Sequence, residues 1–166
     1  MSASFCSEAL RSIGQDLDLR GIRTFRIRCE ADLFIVEGGY QAPPAITPVT
    51  VHYSFRDVER LNREAQEKTS HVSDLLSLAE ILWAVAVYVG SRGGRLLSVS
   101  NMASTLSMPT LTIEYETDQN GRAIEEFKGS AIYELCISIY KLKGAMNKTR
   151  RYSRFSDLSG SAAVWH

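Results

Sequence analysis

The side chains able to shuttle a proton near neutral pH are His52, His71 and His166, the chain's three histidines. A nucleophile triad would need one of them beside a positioned serine or cysteine, yet no GxSxG elbow occurs. His52 alternates with Val51 and Tyr53, so it falls on the strand face opposite the apolar residues and reads as a solvated strand histidine. A polar pocket bringing it to Glu37 or Asp57 would be needed to make it a base. His71 falls in a linker and His166 is the last residue, so neither is a candidate. Glu114, Glu116 and Asp118 stand at alternate positions along a strand and its turn, a spacing that can hold a hard cation. The simpler reading is a solvated outer face that opposes self-pairing, made more acidic by Glu125 and Glu126. Cys6, Cys29 and Cys136 are odd in number and lack CxxC spacing, so neither a disulfide framework nor a zinc knuckle is expected. Gly90-Ser91-Arg92-Gly93-Gly94 follows a helix, where helix-ending glycines belong, whereas a phosphate cradle precedes a helix N-terminus. No catalytic residue, metal site or cofactor is predicted.

Charge points elsewhere. The formal net charge is zero, which argues against a whole surface built for nucleic acid. Residues 128–166, however, carry seven Lys/Arg against two Asp/Glu. Lys141, Lys143, Lys148, Arg150, Arg151 and Arg154 follow one another without an acid, with Tyr140, Tyr152 and Phe155 interleaved. Such an arm can neutralise phosphates and stack on bases. Arg26 and Arg28, together with Arg23, would extend it if their strand face lay alongside. The blander alternative is a solubilising tail or one that docks on an acidic neighbour.

The elements that must hold these residues follow from hydrophobic period. Ala9, Leu10, Ile13 and Leu17 have helical spacing; Ser4 or Ser7 can cap the start, and Gly21 suits the left-handed position after the last turn. Phe25, Ile27 and Cys29 alternate with Arg26 and Arg28 as a half-buried strand. Leu33 to Glu37 is a second strand, ended or bulged by Gly38-Gly39, and 41–48, with three prolines, reads as an exposed loop. Val49 to Phe55 is a third strand, and Arg56 to Lys68 a polar surface helix with a narrow stripe at Val58, Leu61 and Ala65.

The order then repeats. Ser73 or Ser77 caps a helix reaching Arg92, with Ser77 and Glu80 in capping-box spacing. Strands follow at 95–100, 110–117 and 122–127, the last two joined through Asn120-Gly121, a strong hairpin signal. A helix from Ser130 to about Lys143 carries Ile132, Leu135, Cys136 and Ile139; strand is the competing reading for 132–140. Sliding the chain by 72 positions lays Leu10 on Leu82, Ile13 on Val85, Leu17 on Val89, Arg20-Gly21 on Arg92-Gly93 and Ile27 on Val99.

These patterns predict an α+β fold: a tandem duplication of an α-β-β-β-α unit with antiparallel sheet or sheets covered by helices. The halves would be 1–69 and 70–145, packed as one unit, followed by a flexible basic tail over 146–166. Helix–three strands–helix is similar in order to double-stranded RNA-binding domains and to secretion chaperones. The RNA-binding family carries a lysine cluster at the start of its last helix. Here those positions read Arg56-Asp57-Val58-Glu59 and Lys128-Gly129-Ser130, so that signature is missing.

From Leu78 to Val89 only Glu80 is not hydrophobic, so this helix must be covered all round, by the two halves or by a second copy. Trp83, Val87 and Tyr88 are the candidate self-association residues. The apolar run from Leu75 to Val89 is too short for a bilayer span, and the first ten residues lack the basic and apolar regions of a signal peptide. A cytoplasmic protein is expected. The composition points to a non-enzymatic interaction, adaptor or regulatory module that self-associates as a homodimer or binds a protein partner; the alternative is a nucleic-acid-associated protein.

Overall fold

The computed structural model describes residues 2–42, 45–68, 77–102 and 110–154. Among the described residues four helices and six strands follow in the order α1 (Ala3–Arg20), β1 (Ile22–Cys29), β2 (Leu33–Ala42), β3 (Ala45–Ser54), α2 (Phe55–Lys68), α3 (Leu78–Ser91), β4 (Gly94–Met102), β5 (Thr110–Thr117), β6 (Gly121–Lys128) and α4 (Ser130–Arg154). All strands join one antiparallel sheet, ordered β3-β2-β1-β4-β5-β6. The fold is α+β. Among the described residues no helix is long and apolar enough to cross a membrane.

Local chemistry sets the boundaries. Ser2, rather than Ser4 or Ser7, caps α1 by accepting from the Phe5 N–H. Gly21 (φ +74°) and Gly93 (φ +67°) take the left-handed turn where α1 and α3 hand over to their strands, a conformation costly for any side chain with a Cβ. Ser54 and Asp57 form a reciprocal box at the start of α2: the Ser54 N–H donates to Asp57 Oδ2 and the Asp57 N–H to Ser54 Oγ. Ser77 caps α3 through the Glu80 N–H, but the box stays half-made because the Glu80 carboxylate turns to Arg11 of α1, 3.4 Å away.

Two expected boundaries move. Gly38-Gly39 does not end β2, which continues to Ala42, and β3 begins at Ala45, so most of the predicted proline loop is strand. Pro48 falls on β3, an edge strand among the described residues, where proline is tolerated. Residues 130–140 are helical, as α4. Helix continues to Arg154, through the start of the expected tail, and 155–166 lie outside the described residues.

All four helices lie on one face of the sheet, side by side in the order α2-α1-α3-α4. Phe25, Ile27, Phe34, Val36, Val99, Leu111 and Ile113 point up at them and are buried to within 1%. Leu10, Ile13 and Leu17 of α1 and Leu82, Ala84 and Val85 of α3 are fully buried against that layer. The outer helices are amphipathic: Val58 and Leu61 anchor α2, and Ile132, Leu135, Cys136 and Ile139 anchor α4. Gly14 makes the central α1–α3 crossing close, since a Cβ there would lie 2.7 Å from Ala79 Cα.

The apolar helix α3 is covered by its own chain. Trp83, 7% exposed, packs on the Tyr140 ring at 5.1 Å, under the Arg11 guanidinium at 4.7 Å. Tyr88 meets Phe127 edge-on at 5.8 Å, and Val87 packs against the core. Trp83 is thus buried within its own chain, while Val87 and Tyr88 are half-buried against the core and β6.

Candidate functional site

With every helix on one side, the other face of a six-stranded sheet is bare among the described residues. Strand alternation places two cross-strand rows on it. One runs His52, Ile35, Arg28, Ser98, Glu114, Ile124 from β3 to β6. The next runs Thr50, Glu37, Arg26, Ser100, Thr112, Glu126.

Side-chain length gives this face its relief. Ser98, Ser100 and Thr112 on β4 and β5 are short. Arg26 and Arg28 on β1 and Arg122, Ile124 and Glu126 on β6 are long. Because neighbouring strands lie about 4.8 Å apart, the backbones of the two long-chain stripes are separated by about 14 Å. Between them lies a lower strip, the trough, floored by Ser98, Ser100 and Thr112 and narrowed from the β6 side by Glu114 and Arg122, which pair across it.

Its electrostatics differ from the solvated acidic face expected for β5. Glu114 is only 9% exposed because it lies down in the trough, accepting from Ser98 Oγ at 3.3 Å and ion-paired to Arg122. Glu116 pairs with Arg95. Glu125 is on the opposite, helix-bearing face, where its carboxylate accepts from the hydroxyls of Tyr88 (3.1 Å) and Tyr115 (3.2 Å). Burial, then Glu125 itself, pushes the Tyr88 hydroxyl up to about 12, and the Tyr115 hydroxyl is raised for the same reasons. Among the described residues no group of three or more His, Cys, Asp or Glu side chains could hold a metal ion.

On β1, Arg28 bridges Glu37 at 3.0 Å and Glu30 at 3.8 Å, while its Nε is buried without a hydrogen-bond partner among the described residues. Arg26 is exposed beside it. At the row ends stand His52, exposed, and Ile124, whose side chain is 65% exposed on edge strand β6. His52 pairs across the ladder with Ile35; Glu37 is engaged by Arg28 and Asp57 by Ser54, so neither carboxylate is turned to it.

The predicted phosphate-binding residues whose side chains are described do not share one surface. Arg26 and Arg28 are on the bare sheet face, whereas Lys141 is exposed on α4 in the helix layer, across the sheet. The side chains of Lys143, Lys148, Arg150, Arg151 and Arg154, and His71 and His166, lie outside the described residues.

Sequence reasoning named Arg26 and Arg28 but missed Ser98, Ser100, Thr112 and Ile124 as parts of one surface. Short polar residues at alternate positions are a signal once strands are aligned, and the alignment of β1 with β4 is what the sequence lacks. No protein family, curated protein or solved structure matches this chain.

Proposed function

We propose that this chain is a non-enzymatic interaction module, self-associating or serving as an adaptor, and that the helix-free sheet face is its working surface. The observation that carries this reading is the one-sidedness of the fold: four helices cover one face and the chain supplies nothing described for the other. A solvated face needs only long polar side chains. The strip between Arg26 and Arg28 on one side and Ile124 on the other is floored instead by the short side chains Ser98, Ser100 and Thr112, with Glu114 and Arg122 paired within it.

We also infer that the chain arose by tandem duplication, with halves at 1–69 and 70–145. Three likenesses support it. Ile27 pairs across the central seam with Val99, its own counterpart in the 72-residue shift. Gly21 and Gly93 make the same left-handed turn. Asp16 of α1 takes the Tyr53 hydroxyl at 2.6 Å, and Tyr88, 72 positions on, meets Phe127, which holds the ladder place of Tyr53.

Sedimentation equilibrium over a wide concentration range tests the surface. The wild type is expected to gain mass with concentration, and Ser100→Arg with Ile124→Glu to stay monomeric with an unchanged melting temperature. A wild-type chain that stays monomeric throughout overturns self-association. Equal association by the variant moves it off this face. Nucleic-acid binding is the weaker reading, because the described members of the basic set, Arg26 and Arg28 against Lys141, are on opposite faces and Arg28 is already paired with Glu37 and Glu30. Binding that falls steeply with salt and is lost on truncation after Met146 would restore it.

A further inference from the structure

A cavity of about 300 Å³ lies on the helix side of the sheet, away from the bare face. It opens between the start of α1, the β1–β2 turn, the end of α3 and the start of β4. Cys6, one turn into α1, and Cys29, the last residue of β1, both line it, with Val89, Gly90 and Leu96 opposite. Both are free thiols, half-buried, and near enough that charge on Cys6 opposes charge on Cys29. The third cysteine, Cys136, is buried under α4 near Glu80 and does not line the cavity.

We propose that Cys6 and Cys29 close into a reversible disulfide across this cavity when the chain meets a peroxide, fastening the start of α1 to the end of β1. The Cys6 thiolate attacks one peroxide oxygen; the O–O bond breaks, the leaving oxygen takes a proton, and Cys6 becomes a sulfenic acid. Cys29 sulfur then attacks Cys6 sulfur, and the S–O bond breaks as water leaves. Two thiols and hydrogen peroxide give one disulfide and two waters, with the sulfurs oxidised and the peroxide reduced. Cys29 ends a strand and is followed by the β1–β2 turn, and it lines the same cavity as Cys6, so closing the bond asks for movement only at a strand end and the first turn of a helix.

The same burial governs speed and product differently. It pushes the Cys6 thiol up to about 11 and Cys29 higher still, so thiolate is scarce at neutral pH and the reaction is slow. The disulfide is neutral and carries no such penalty. The bond therefore forms slowly, and the covering that slows it also shields it from reducing thiolates.

The test is timed treatment of the full chain with hydrogen peroxide, followed by thiol counting and peptide mapping. Two of the three thiols should disappear. The mapped link should be Cys6–Cys29 within one chain, dithiothreitol should restore both thiols, and the melting temperature should rise by about 5–15 °C. The initial rate should climb about tenfold per pH unit through the alkaline range below the Cys6 titration. In Cys29→Ser, Cys6 should stop as a sulfenic acid that dimedone traps. A link involving Cys136, a link between chains, sulfinic acid without a disulfide, or three surviving thiols each overturns the proposal. None of these outcomes bears on the sheet face.

Discussion

Replacing Gly14 by alanine sets two opposed effects against each other at one atom. In an isolated helix the change favours folding by about 1 kcal/mol, because alanine has less backbone freedom to lose. Here the new Cβ would sit 2.7 Å from both Ala79 Cα and Ala79 N and 2.8 Å from the Leu78 carbonyl carbon. These are backbone atoms at the first turn of α3, which no rotamer change can move aside. Ordinary contact would require the two helices to part by roughly 0.7 Å, and overpacking of this kind costs about 1–3 kcal/mol. The movement would also stretch the hydrogen bond from the Leu78 N–H to Asp18, already 3.3 Å long, which is worth about another 1 kcal/mol. The net expectation is destabilisation by about 2 kcal/mol, read in urea titrations as a midpoint lowered by about 1 M with little change in slope. Adding Ala79→Gly should not rescue it, since the obstacle is main chain and not the Ala79 methyl. A Gly14→Ala protein as stable as the wild type, or rescue by the second substitution, would refute the close crossing.

Tyr53→Phe should cost about 1 kcal/mol in the same titration by removing the 2.6 Å bond to Asp16, while Asp16 keeps Arg20 at 2.8 Å; an unchanged midpoint would mean that the bond is replaced by water without loss. At α2 the Ser54 N–H, and then the Ser54 hydroxyl, hold the Asp57 carboxyl below its usual 3.8. A depressed folded-state value contributes stability above the unfolded value and loses it as pH falls through the folded one. Thermal melts of Asp57→Asn should therefore show a shallower acid limb than the wild type, with a similar loss already present at neutral pH. Ile124→Lys should leave the melting temperature unchanged, because the side chain is 65% exposed, while abolishing any concentration-dependent mass; a large drop in stability would mean that Ile124 is packed rather than presented.

Much of the fold was legible in the sequence because period and punctuation agreed. Leu10, Ile13 and Leu17 repeat every three or four residues and are fully buried, and Gly21 stops their helix where the backbone turns left-handed. Phe25 and Ile27 alternate with Arg26 and Arg28 and fall on opposite faces of β1. The glycines at 38 and 39 misled because breaking strength depends on neighbours. With β1 on one side and β3 on the other, the ladder continues through them.

The candidate surface was less legible. An unusually apolar α3 says that it must be covered but not by what, and both α4 and a second chain satisfy the same pattern. Glu114 and Glu125 are both acids on the second hairpin, yet one lies in the trough and the other beneath α3, because alternation assigns a face without saying which face bears the helices. The trough itself appears only when β1 and β4 are joined, and no local signal marks those strands as partners.

That seam also has a bearing on how the chain reaches its final shape. Four of the five ladders join strands that succeed one another along the chain, so each can zip from its own connection, whereas β1 must find β4, with Ile27 and Val99 separated by 72 positions. Bringing such distant partners together carries a loop-closure penalty of about 4 kcal/mol before any bond forms, while a hairpin closes within microseconds. Assembly should thus proceed from two early hairpin clusters to one late union, and the slowest amides to gain protection during refolding should be those at the middle of the sheet.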